Sequence, residues 1–367
     1  MTVSATTEQQ AFQSVKRACY AGLDSVTLRV EIARRVERVV PCDTSYFWTL
    51  DPETGLVSHG VAQHVSPRIF AEFVGHHYPD DEATQVIDQA RAGSILKFGC
   101  APELRELLVS EGIHQDVRAL FFTPEAYWGS WCILRGHAPA FADRETRFLE
   151  RIAPHVAEGL KSAALLELSA AAGELVEEAD ADLASPATTP GFVVLAPNAE
   201  VMLRTPAVAP YLGDLSIDGV ADDGQVPYPV LSVRGRLLRA RCTPDQAPAD
   251  ARLRARGRSG TWYSLRATSA EPDASGRSSV LVSIEPSARR EVAPLLFRLY
   301  GLSPHEREVL LWVIRGEPTK GIAAQLGLSM HTVQDYLDKA CEKVGVRGRK
   351  ALVAKLFQDG FAPGLMA

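Results

Sequence analysis

The segment Leu302–Leu352, LSPHEREVLLWVIRGEPTKGIAAQLGLSMHTVQDYLDKACEKVGVRGRKAL, constrains the fold of this 367-residue chain more than any other stretch. Ser303-Pro304-His305-Glu306 is a capping box with proline at the first helical position, so a helix starts there. Val309, Leu310, Val313 and Ile314 give that helix a buried stripe, and Gly316 ends it. A short second helix is expected over 319–326, burying Ile322, Ala323 and Leu326, and Gly327-Leu328 makes a tight turn. Ser329 then caps a third helix whose Val333, Leu337, Ala340 and Val344 fall on one face. Helices joined this way, around a glycine turn, form a helix-turn-helix arrangement.

The third helix turns its other face outward. That face carries Met330, His331, Gln334, Asp335 and Asp338, with Thr332, Tyr336, Lys339 and Lys343 at its flanks. A helix fits the major groove of DNA and meets base edges through its N-terminal residues. Glutamine can pair with an adenine edge, and aspartate can accept from cytosine. Thr319, Lys320, Lys339, Lys343, Arg347 and Arg349 are placed to meet phosphates, which supply affinity rather than sequence discrimination. Charge agrees with this division. From Arg298 onward there are ten Lys and Arg against seven Asp and Glu, a local charge of +3 in a chain whose total is −6, which leaves −9 for the rest.

The segment resembles the LuxR/GerE type of helix-turn-helix, on its L-S-P-x-E-R-E-V-L opening, I-A-x-x-L middle, S-x-x-T-V start of the third helix and K-x-G-V-x-x-R end. The resemblance implies a fourth helix, here about 349–358, that pairs two such domains, and binding of a short inverted repeat of double-stranded DNA as a homodimer. RNA polymerase is then a partner if the outcome is activation. The chain departs from the pattern where the family's second helix carries a serine cap and a glutamate three residues on; Pro318 and Gly321 stand there. The reading helix has Gln334 where Lys or Arg is frequent and Tyr336 where His is frequent, and Asp335 and Asp338 bring negative charge to the groove. Weak DNA binding by a lone domain is the expectation.

Upstream, the chain reads as two α+β regions. Helices over 8–21 and 24–40 precede strand-like runs at 44–50 and 56–65, helical stretches at 66–92 and 101–111, and strands at 117–123 and 128–135. A long helix opens at Asp143 and runs to about 180, with Pro154 inside it. This order resembles a GAF domain over 1–180. Residues 180–190 have linker composition. A hairpin at 192–205, helices at 206–212 and 229–240, and strands at 251–257, 261–268 and 278–285 follow, a PAS-like order over 191–286, before the helix-turn-helix domain at 291–367. The expected fold is thus multidomain: GAF-like α+β, PAS-like α+β and an all-α four-helix reader.

Tyr46, Trp48, Trp128 and Trp131 concentrate in the first sheet, either as core or as the lining of a small-molecule pocket. The sensory half is accordingly read as taking a small effector or a protein partner. Six scattered cysteines without a C-x-x-C pair point to reduced thiols, with Cys100 and Cys132 as buried apolar groups or redox sensors. His59, His64, His76 and His77 have no ligand-spaced partners, so no metal or other cofactor is expected. No Walker loop, nucleophile elbow or H-E-x-x-H motif indicates an enzyme. With no signal-like N-terminus and no apolar run of membrane length, a cytoplasmic location away from membranes is expected.

Overall fold

The computed structural model describes residues 4–64, 94–96, 106, 108–124, 126–136, 139–179, 189–196, 198–216, 226–242, 251–270, 279–287 and 295–358. Helices α1 (Ala5–Cys19) and α2 (Ser25–Val36) each start on a side-chain cap: Ser4 accepts from the Thr7 amide, and Asp24 from Val26 and Thr27. α2 stops four residues short of the expected end, because Val39 and Val40 both turn back to the Val36 carbonyl. Strands β1 (Thr44–Leu50), β2 (Val57–Gln63), β3 (Ile95–Leu96), β4 (Gln115–Phe122) and β5 (Tyr127–Arg135) form an antiparallel sheet in the order β2-β1-β5-β4-β3. The two-residue β3 is too short to leave a periodic signal. The helices expected over 66–92, and most of the one over 101–111, lie outside the described residues.

Period-two alternation sorts the aromatic residues of this sheet between its faces. Phe47 lies opposite Trp131 in register and stacks on it at 5.3 Å, and Phe121 lies 5.2 Å from Phe47. The same face meets helix α3 (Asp143–Ala179): a Cβ on Gly129 would lie 3.0 Å from Leu160 and only 2.4 Å from the Trp48 carbonyl, so the position admits no side chain. The opposite face carries Tyr46, Trp48 and Cys132 in a separate buried cluster with Leu108 and Ile113.

The second sheet is built the same way. β6 (Gly191–Leu195), β7 (Val201–Arg204), β8 (Arg252–Arg256), β9 (Trp262–Ser269) and β10 (Val280–Pro286) run antiparallel in the order β7-β6-β10-β9-β8. A 3₁₀ turn (Pro206–Val208) and α4 (Ala209–Asp214) follow β7, and α5 (Tyr228–Cys242) precedes β8. α5 serves both cores. Its Val230 and Val233 enter the cluster of Val193, Leu265 and Val282, while Tyr228 enters the Tyr46–Trp48 cluster of the first sheet. Leu56, just before β2, is buried among the second sheet's residues. Polar ties run in parallel. Asp51 accepts from Arg254 at 3.2 Å with both side chains buried, Glu53 pairs with Arg254 and Arg252, and Arg236 donates to the Thr54 carbonyl at 2.5 Å. Among the described residues, those within 1–123, 127–163 and 186–287 therefore form one compact unit; those within 124–126, 164–185 and 288–367 form a second.

In the second unit, residues 295–299 are helical, followed by α6 (Pro304–Ile314), α7 (Thr319–Leu326), α8 (Met330–Val344) and α9 (Arg349–Gln358). Among the described residues no helix is long and apolar enough to cross a membrane.

Candidate nucleic-acid interface

The capping box at the head of α6 is closed on both sides. Ser303 Oγ accepts from the Glu306 amide at 3.3 Å, and Glu306 Oε2 accepts from the Ser303 amide at 2.7 Å. Val309, Leu310 and Val313 are buried from α6, and Ile322 and Ala323 from α7. α7 begins on Pro318 with no side-chain cap, as its sequence implies, and ends on Gly327 at φ 65°, a left-handed turn that suits glycine. Ser329 caps α8 by accepting from the Thr332 amide at 3.0 Å. Val333, Leu337, Ala340, Cys341 and Val344 are buried, and Gly345 at φ 75° closes the helix.

With that stripe inward, Met330, His331, Gln334, Asp335, Asp338 and Lys339 are exposed, and Thr332 and Tyr336 are half-buried. The Tyr336 ring lies 5.7 Å from that of His305 on α6. Two pairs run along the helix at i, i+4. Gln334 Nε2 donates to Asp338 Oδ1 at 3.0 Å, and His331 Nε2 lies 3.8 Å from Asp335 Oδ2. The two carboxylates anticipated on the reading face are thus each engaged by a neighbour on the same face. Lys320 and Arg347 are exposed, and Thr319 is half-buried.

Two of the cations read from sequence as phosphate contacts are engaged inside the domain. Lys343 Nζ donates to Glu306 Oε2 at 2.7 Å and to the Gly301 carbonyl at 2.9 Å. Arg349 donates to the Glu317 carbonyl at 2.5 Å and to Val313 at 3.4 Å, tying the start of α9 to the end of α6. Glu306 is the residue that sequence reasoning undervalued. Beyond capping α6, it anchors the last turn of α8. Burial pushes its carboxyl up, but the bonds from Lys343 and Ser303 outweigh that and hold it below the ordinary value.

In the N-terminal unit the four aromatics proposed as one pocket do not come together. Tyr46 and Trp48 stack at 5.6 Å, and Trp48 is covered by Tyr228 at 4.6 Å. Trp131 belongs to the opposite face, because it pairs with Phe47 rather than with its neighbours. The Trp128 indole N–H donates to Thr123 Oγ1 at 3.0 Å. The pattern did not reveal what accompanies Tyr46: buried Arg118, whose Nε donates to Cys132 Sγ at 3.2 Å. Burial raises the Tyr46 phenol above its ordinary value. His59 is a core histidine, 2.9 Å from the buried Arg29 guanidinium, and burial with that positive charge pushes it well below its ordinary value. His76, His77 and Cys100 lie outside the described residues.

Residues 301–356 match the family model of bacterial regulatory proteins of the luxR family. Over 59 residues the chain is 37% identical to spore germination protein GerE of Bacillus subtilis (strain 168), a match spanning 16% of this chain and 80% of that protein. Among solved structures, a GAF domain/HD domain protein from Geobacter sulfurreducens aligns with 43% of this chain and 97% of its own, at 13% identity and TM-score 0.30. Escherichia coli SdiA aligns with 98% of each chain, at 10% identity and TM-score 0.28. Residues 301–356, matched by the family model, hold the capped helices, glycine turns and outward face just described, and through that module the chain belongs to the LuxR family of bacterial regulatory proteins, which are transcription regulators and not enzymes.

Proposed function

We propose that the chain reads the major groove of DNA as a homodimer, through α8, under the control of an input received by its N-terminal unit. The exposed N-terminal half of α8, set by the Ser329 cap and held at its far end by the Lys343–Glu306 bond, carries this reading. Met330, His331, Gln334 and Asp335 supply base contacts; Thr319, Lys320, Lys339 and Arg347 supply phosphate contacts. Residues 1–180 are read as a GAF-like fold and 191–286 as a PAS-like fold, with 291–367 as the reader. Helix α3, whose Phe148, Ile152, Val156 and Leu160 are buried, is the element proposed to transmit the signal or to pair protomers.

Genome-wide mapping of bound sites, followed by titration of the full chain against the recovered sequence, tests this. Gln334→Ala is expected to lose about tenfold in affinity and to relax selectivity at one base pair. Arg347→Gln is expected to weaken all duplexes alike and to lower the salt slope by about one. Retention of site affinity by both variants would refute the assignment of α8.

One observation favours a protein partner over a small effector as the input: Tyr228 of the chain itself covers Trp48. Native mass spectrometry separates the two, since a co-purified metabolite supports an effector and a bare chain supports a partner.

A further inference from the structure

The N-terminal helix pair holds a second feature, separate from the aromatic face and from the reading helix. α1 and α2 enclose an open cleft of about 340 Å³, near the lower end of the roughly 300–1,000 Å³ typical of small-molecule sites. Thr7, Ser14 and Arg17 line it from α1; Arg34 and Arg35 line it from α2, and Arg38 from the turn that follows. Four guanidinium groups therefore surround one concavity, and no carboxylate is among the described residues that line it. This runs against the charge of its surroundings, because residues 1–297 carry −9 in total.

The cleft has a built side and an open side. Arg35 is fixed across the helix pair: its Nε donates to Ser14 Oγ at 2.9 Å, its Nη1 to the Glu31 carbonyl at 2.9 Å, and it also pairs with the Glu31 carboxylate. Arg34 reaches the same carboxylate at 2.9 Å. One acid thus answers two arginines, and its position records that the two forks converge on anionic oxygen. Arg17 and Arg38 are exposed at the rim, with Arg17 Nε resting on the Gln13 carbonyl. Arginine forks match phosphate oxygens in pairs, and their strength multiplies when several meet one polyanion. No aromatic ring is among the described residues that line the cleft, so recognition there rests on charge and hydroxyl contacts rather than on stacking.

We propose that this cleft binds a compact polyanion carrying more than one phosphate, held by Arg17, Arg34, Arg35 and Arg38 with help from the Thr7 hydroxyl. Isothermal titration of the full chain at physiological salt tests it, with inorganic triphosphate and orthophosphate as probes. Triphosphate is expected to bind once per chain, at least tenfold more tightly than orthophosphate. The double variant Arg17→Gln/Arg38→Gln leaves the Arg35–Ser14 and Arg35–Glu31 ties in place and is expected to keep the wild-type circular dichroism while losing at least tenfold in triphosphate affinity. Lys339→Gln/Arg347→Gln, on the reader, is expected to leave that affinity unchanged. ATP binding with the same affinity as inorganic triphosphate supports recognition of the phosphates alone. Absence of saturable triphosphate binding, an unchanged affinity in Arg17→Gln/Arg38→Gln, or loss of binding in Lys339→Gln/Arg347→Gln would overturn the assignment.

Discussion

At the residue scale, the basic side chains of the reader divide by what their charged ends touch. Lys343 and Lys339 are four positions apart on α8 and both are exposed, yet the ammonium of Lys343 ends on the buried carboxylate of Glu306. Lys343→Gln is therefore expected to act on stability. It removes a charge-assisted bond from Glu306, at a cost of about 1.5–3 kcal/mol, which hydrogen exchange in 303–344 would register as faster opening. Lys339→Gln is expected to leave exchange unchanged and to weaken DNA binding instead. The tie also sets an acid limit. Glu306 is held below its ordinary value of 4.5 in the fold, so its contribution is complete above that value and is lost as pH falls through the lower, folded one. Exchange in this segment should accelerate below about pH 4.5, and Lys343→Gln should flatten that dependence. Slow exchange with the same pH profile in the variant would show that the bond contributes nothing.

At the element scale, α7 is the weak member of the reader. It has no side-chain cap, and it carries Gly321 inside its first turn. A Cβ at Gly321 would meet only the movable end of Glu317, at 2.8 Å, apart from ordinary contacts with the Pro318 ring. Gly321→Ala is accordingly expected to stabilise the reader by about 0.5–1 kcal/mol, seen as a higher thermal midpoint for the transition that Trp312 reports. A lower midpoint would mean that the Glu317 carboxylate is needed where it lies, at the N-terminal end of α7. Both the missing cap and the glycine were legible in the sequence, because capping and helix propensity are properties of four or five consecutive residues. The same short range explains why α6, α8, β1 and β5 begin within a residue or two of where their patterns place them.

At the scale of the whole molecule, the two α+β regions that look separable in the sequence are joined through buried chemistry. Asp51 and Arg254 are 203 positions apart, and their side chains are 1% and 8% exposed. Asp51→Ala would leave the Arg254 guanidinium buried without that carboxylate, and a loss of about 3–5 kcal/mol is expected. Because α5 serves both cores, the loss should appear as one cooperative transition in which Trp48 and Trp262 fluorescence change together. Two separate transitions, one per sheet, would show that the halves unfold independently.

The sequence by itself determined the family, the helices of the reader and strands such as β1, since caps, glycine turns, the apolar stripe of α8 and the alternation of β1 depend on residues within a turn or two of each other. The face on which Tyr46 and Trp48 lie was equally local. What only the tertiary structure decided is which partner each long side chain takes. Lys343 finds Glu306 across 37 positions, Trp131 falls opposite Phe47, and Tyr228 lands on Trp48. Periodicity says which way a side chain points and not what the chain will have brought there. That Lys343 and Arg349 hold the reader together, while Lys320, Lys339 and Arg347 are exposed, therefore became visible only once α6 and α8 were packed.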